Sequence, residues 1–382
     1  MTNAPATSLD AAPPARAVAA WRGRLLEFLL MGGATLFLFP LAWLCRRALG
    51  LDAAELAFGF VTFHAASLIN DPHFAVTYVL FYKDARRRVF GDAFAPVQRL
   101  RYLVAGILVP LALAAWAAWA LVTRSAPTLG WMMQLMFFLV GWHYVKQGFG
   151  VLTVLSARRG VRFTRLERVV VLAHCFAGWA YAWASPADPG NQVEEQGLVF
   201  TTLAHPPGLE RFTHLVFFLS ALPLIWVLVK KWRTEARLPP LAPLCGFLVT
   251  VWLWTVYSWI DPLMRYVIPA LHSIQYLYFV WLLKRNEARA SEGPPLFGRP
   301  ARVQLGFLAV TAVGLGWILL RGAPSFLDVM FVSPRAKRLD AAGGLGPTPF
   351  LAILFAFVNI HHYFMDTVIW RRDNPETRHL FD

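Results

Sequence analysis

Ten apolar stretches recur along the 382-residue chain, at about 25–44, 54–82, 102–122, 130–155, 167–184, 212–229, 241–260, 263–283, 303–320 and 348–370. About twenty helical residues cross the hydrocarbon of a bilayer. A sequence that repeats this length so often has few alternatives to an all-α, polytopic transmembrane helix bundle of about ten spans. Composition agrees, because 57% of the residues are hydrophobic and 15% charged, against about 45–50% and 25% in soluble proteins. The boundary between the seventh and eighth stretches rests on the tight Asp261-Pro262 turn.

The excess of 36 Lys and Arg over 22 Asp and Glu would suit a nucleic-acid binder if it formed one face. It does not. Basic clusters alternate with the spans, so that placing the N-terminus in the cytoplasm puts 26 cations on that side and 9 on the other, with Lys146 left inside a span. Such a bias orients a bundle with both termini cytoplasmic, and the expected partners are the lipid bilayer and a hydrophobic small molecule rather than nucleic acid. The organisation expected is a disordered tail over 1–20, one transmembrane helical domain over 21–372 and a short tail over 373–382. The outside loops at about 185–211 and 322–347 are either small caps or connectors. Cys45, Cys175 and Cys245 have no CxxC spacing, which supports neither a disulfide framework nor a zinc ribbon.

Ionisable side chains inside spans are costly and face the bundle interior by default. The second span holds His64 and Asn70-Asp71-Pro72-His73, the fourth His143, Lys146 and Gln147, the eighth His272, Gln275 and Tyr276, and the tenth Asn359, His361, His362 and Asp366. His73 lies ten residues before Lys83, His272 twelve before Lys284, and His361 ten before Arg371. At 1.5 Å per residue these are roughly 15–18 Å from the basic rim, and His143 is roughly 22 Å deep. Four helices therefore carry imidazoles in one slab near the bilayer centre. His362 and Asp366 share a face at i,i+4, as do His143 and Gln147. His64 and His73 fall on opposite faces of a regular helix, so both reach one site only if Pro72 kinks the chain. A kink after Asn70-Asp71 is expected, with Asp71 turned inward. Lys146 is expected to pair with Asp71 or Asp366. A lone His174 in the fifth span is as readily a structural hydrogen-bonding residue as a functional one.

Imidazole with carboxylate is the ligand set of non-haem iron, zinc or manganese. His64, His73, His143, His272, His361 and His362 are the candidate ligands. Asp366, Asp71 and Lys146 are the candidate catalytic charges. Asn70, Gln147, Gln275, Tyr276 and Asn359 are candidates to line the cofactor and hold ring tautomers. The same residues leave other readings open: a bis-histidine haem on His143 and His272, a proton- or cation-coupled transporter using Asp71, Lys146 and Asp366, and an acyltransferase with one histidine as base.

The His361-His362 pair and the histidines spread over several spans resemble the integral-membrane, histidine-rich iron oxygenases, namely desaturases, hydroxylases and alkane monooxygenases. Those families carry HxxxH and HxxHH boxes where this chain has one adjacent pair. Single histidines on four helices are more similar to the rhodopsin-associated carotene-cleaving dioxygenases, with His272-Ser273-Ile274-Gln275-Tyr276 similar to a late histidine segment there. The resemblance implies one non-haem iron, oxidation of a lipid or isoprenoid, an electron-donor protein as partner and a bacterial inner membrane as location.

Overall fold

The computed structural model describes residues 14–92, 94–186, 189–294, 297–332, 344–371 and 373–381. Most of them are helical. The chain runs through α1 (Pro14–Phe28), α2 (Thr35–Leu49), α3 (Leu51–Tyr82), α4 (Ala85–Phe90), α5 (Pro96–Leu103), α6 (Val109–Thr123), α7 (Ala126–Arg158) and α8 (Arg165–Ala184). A hairpin of β1 (Gln192–Glu195) and β2 (Leu198–Thr201) follows, then α9 (Leu209–Glu235), α10 (Leu241–Leu248), α11 (Met264–Ala290), α12 (Ala301–Trp317), α13 (Ala323–Phe331) and α14 (Pro349–Ile369).

Each expected span is matched by helix. Five of the helices among the described residues are long and apolar enough to cross a membrane, or up to seven if each of two bent pairs counts as one. Ten crossings are therefore more than length and composition establish. The first expected span is one of the bent pairs: a π-helical turn at Leu29–Gly33 separates α1 from α2, and the two arms meet at 59°. Gly32 has φ +124° there, a conformation open to glycine and strained for other residues. Close packing also needs Gly246 on α10, where a Cβ would sit 2.5 Å from the Met31 carbonyl oxygen.

Burial sorts the helices into layers. In α11 and α14, 61% and 72% of the most apolar window is buried, against 11–22% in the long helices built around α6, α9 and α12. The outer helices present large apolar side chains such as Leu111, Trp119, Leu222 and Val310 outward, as a lipid-facing surface requires. The polar residues of the sequence are concentrated on the inner helices α3, α7, α11 and α14, which surround one another.

α14 is fixed at its start. Pro349 occupies its first turn, where a missing N–H costs nothing, and the Asp328 carboxylate of α13 accepts from the amides of Phe350 and Leu351 at 2.9 and 3.0 Å. The β hairpin adds a contact through the Thr348 hydroxyl, which donates to the Gln196 carbonyl at 2.9 Å. Its turn residues, Gln196 and Gly197, both have positive φ, the geometry of the tightest hairpin loops. The 185–211 loop thus carries a small cap.

One expectation needs correction, and both expected tails include helical residues. α3 runs as helix through Asn70-Asp71-Pro72, and the 48° bend lies between Leu51–Thr62 and His64–Tyr82 instead. Residues 14–20 are helical, whereas the disorder expected for 1–13 lies outside the described residues, as does much of the 322–347 loop. In the short tail expected over 373–382, Pro375–Leu380 forms a 3₁₀ helix, buries Leu380 and is held by Arg158, which donates to the Leu380 carbonyl.

Candidate metal centre

His73 of α3, His143 of α7, and His362 with Asp366 of α14 point into one space. One donor atom from each lies within 4.8 Å of the others, and all four residues are buried. The i,i+4 spacing places His362 Nε2 3.4 Å from Asp366 Oδ2, and the same oxygen is 3.7 Å from His143 Nδ1. The His73 and His362 rings meet edge to face, with centroids 4.5 Å apart. His272 of α11 stands one step behind, its Nε2 3.0 Å from His143 Nε2. Two imidazole nitrogens at that separation share a single proton, so His272 fixes the protonation of His143 while lying outside the four-donor group.

A surrounding layer of hydrogen bonds orients these groups. The Ser273 hydroxyl donates to Asn70 Oδ1 at 2.8 Å, which leaves its oxygen to accept from His73 Nδ1 at 3.0 Å. His73 is thereby held with the proton on Nδ1 and a free lone pair on Nε2. Gln147 donates to the His272 carbonyl at 3.0 Å and to Gln275 Oε1 at 2.7 Å, and Gln275 passes the chain on to the Met31 carbonyl at 2.6 Å. The tilted turn at Gly32 is what brings that carbonyl inward. Tyr276 donates to Asp366 Oδ1 at 2.8 Å and accepts from Trp370 Nε1 at 3.1 Å, with the Thr77 hydroxyl 2.6 Å away. Tyr363 stacks at 4.7 Å on His143 and is itself tied to Asn359.

Beside that layer, several imidazole nitrogens of the group and of His272 are bare. His73 Nε2, His272 Nδ1 and both nitrogens of His362 are buried without a hydrogen-bond partner. Each such orphan costs about 1–3 kcal/mol, and several at one point are stable only if something binds them. Neutral imidazoles and a carboxylate converging with free lone pairs are what a divalent transition metal takes. This buried group could hold a metal ion.

Several sequence candidates lie elsewhere. His361 is closed: its Nε2–H donates to the Ala105 carbonyl at 3.0 Å, so Nδ1 accepts from Tyr78 at 3.0 Å, and no lone pair remains for a metal. His64 is exposed and packed on Phe60, as the continuous helix between His64 and His73 requires. Asp71 is buried but turned to Arg321, 2.9 Å away. Lys146 reaches neither Asp71 nor Asp366 among the described ion pairs; its ammonium lies 5.9 Å from the centre of the Trp142 ring. His174 is a structural residue, giving its Nδ1–H to Ser220 and taking a hydrogen bond from Trp252. Asn359 serves at one remove, through Tyr363. Sequence reasoning missed Ser273, Thr77, Tyr363 and Trp370. Trp370 carried a signal, since it lies four residues after Asp366 and so shares its helix face.

No family model matches the chain, and neither a curated protein nor a solved structure resembles it closely enough to inform the site.

Proposed function

We propose that the chain is an integral-membrane, non-haem iron oxidoreductase of the oxygenase, hydroxylase or desaturase type, acting on a lipid or isoprenoid from within a bacterial inner membrane. The observation that carries this is the convergence of His73, His143, His362 and Asp366, one donor atom from each within 4.8 Å of the others, with unpartnered nitrogens on His73 and His362. A mixed imidazole and carboxylate set is one that iron takes. Bound iron would supply the activation of O₂ that attack on an unactivated carbon needs.

The chain's own residues do the rest. His73, His143 and His362 would bind through neutral nitrogens, and Asp366 would offset part of the metal's charge. Ser273 and Asn70 hold the His73 tautomer, and Tyr276 holds one oxygen of Asp366 so that the other faces the imidazoles. Phe74, Tyr144 and Tyr363 close the space around the rings and exclude water. An isoprenoid or acyl chain and O₂ both partition into the surrounding hydrocarbon, and a donor protein would supply electrons.

The competing readings fit less well. An axial haem pair needs its two nitrogens about 4 Å apart across the porphyrin plane, whereas His143 and His272 meet at 3.0 Å. A relay through Asp71, Lys146 and Asp366 is interrupted, since each has its own separate neighbours. Metal analysis with an optical spectrum of the detergent-purified protein tests the proposal. Stoichiometric iron without a Soret band is expected. A Soret band would restore the haem reading, and zinc alone or no metal would reject redox chemistry.

A further inference from the structure

We infer that the groove where α3, α11 and α12 meet is a site for an anionic phospholipid, with its phosphate on Lys83 and Lys284 and an acyl chain along α12. The three helices pack against one another and leave a cavity of about 240 Å³ between them. Lys83, Lys284 and Glu287 line it at the level where α3 and α11 approach their ends. Val79, Leu80 and Leu308 supply apolar walls further along the same helices. The cavity is separate from the His/Asp centre, since Lys83 lies ten residues beyond His73, roughly 15 Å along α3. The inference does not depend on what that centre binds.

Both lysines share one carboxylate. Glu287 Oε1 lies 3.6 Å from Lys83 Nζ, and Oε2 accepts from Lys284 Nζ at 2.5 Å. Two ammonium groups on one carboxylate leave a positive charge over, and the Lys83 side chain is 54% exposed and so open to a further anion. A third cation stands at the edge. The Arg299 guanidinium lies 5.6 Å from the centre of the Phe307 ring, which also lines the cavity. Gln304 ties the loop bearing Arg299 to α12 by donating to the Arg299 carbonyl at 2.7 Å.

The surroundings of the groove select its occupant. A free anion would need only the cations, whereas the walls beyond them are apolar. Helix α12 turns Phe307 and Val310 outward, 60% and 73% exposed, and only 11% of the most apolar window in Ala301–Phe331 is buried. The outer wall of the groove therefore faces lipid when the bundle sits in a bilayer. A phosphate and an acyl chain joined in one molecule satisfy both parts. Basic pockets between membrane helices take anionic head groups in this way, and the cytoplasmic leaflet supplies such lipids. The distribution of cations predicts that this end of the bundle lies on the cytoplasmic side.

Native mass spectrometry of the full-length, detergent-purified protein, titrated with phosphatidylglycerol or phosphatidylcholine, tests the site. Phosphatidylglycerol should bind more tightly. Lys83→Gln and Lys284→Gln should each weaken it about fivefold, the effect of one cation beside an anionic lipid. Arg233→Gln removes an exposed cation from the last turn of α9 and should leave binding unchanged. Glu287→Gln removes the competing carboxylate and should strengthen binding, a gain that a misfolded variant could not give. Equal binding of the two lipids, the same loss in Arg233→Gln as in the lysine variants, or no gain in Glu287→Gln overturns the inference. Inorganic phosphate at the lipid concentration should not displace the lipid. Displacement would show that the cations take a free anion, and the lipid site would fall.

Discussion

His361 and His362 are neighbours in the chain, yet about 100° of helix rotation separates their side chains. One imidazole is spent on Ala105 and Tyr78, the other has both nitrogens bare. Opposite outcomes of the same substitution follow. His362→Ala should remove bound metal altogether. His361→Ala should keep stoichiometric metal but lower stability by about 1–3 kcal/mol, because it strands a buried carbonyl; thermal unfolding in detergent beside metal analysis reads both. Ser273→Ala should weaken metal binding by roughly 10–100-fold without abolishing it, since it frees the His73 tautomer and leaves the ligand in place. A competition titration against a chelator measures that difference. Depth along the membrane normal was legible from residue counting, which singled out His73, His143, His272 and His361 together. Azimuth was not, because a face assignment needs the neighbours that each helix meets, and that is why His361 and His64 read as ligands.

Helix α3 owes its position to a close crossing with α12. A Cβ at Gly316 would lie 2.6 Å from the carbonyl carbon and oxygen of Asp71, and the Asp71–Arg321 ion pair seals the same crossing. Asp71 is therefore a packing residue. Gly316→Ala should cost about 1–3 kcal/mol through forced separation of the two helices. Because His73 lies two residues from the contact, metal affinity should fall with it. Asp71→Ala leaves Arg321 without this partner and should cost roughly 3 kcal/mol or less, as the guanidinium retains some access to solvent, with metal content preserved. Loss of metal in Asp71→Ala would show that the carboxylate belongs to the centre after all. From sequence, Pro72 suggested a broken helix, but a proline removes only one backbone donor, and packing against α12 holds the segment as helix.

For the molecule as a whole, the apolar stretches and their helical state were readable from residue order, whereas the number that cross the bilayer was not. Bends at Gly32 and near residue 63 make two of the stretches bent pairs rather than straight spans, and nothing in apolar length alone announces a bend. The 26 to 9 division of cations still predicts that the loop around Arg86 and the segment after Arg371 face the cytoplasm. A reporter active only in the periplasm should be silent when fused after Asp382, and activity there would require a different count of crossings. The donors at positions 73, 143 and 362 are far apart in the chain, and two of the four belong to α14, which is made after α3 and α7. The centre therefore cannot be assembled before α14 is made: an emerging chain holds only scattered imidazoles until α14 packs against α3 and α7. Metal capture would then act as a seal on the bundle, distinguishing chains in which α14 has docked from those in which it has not.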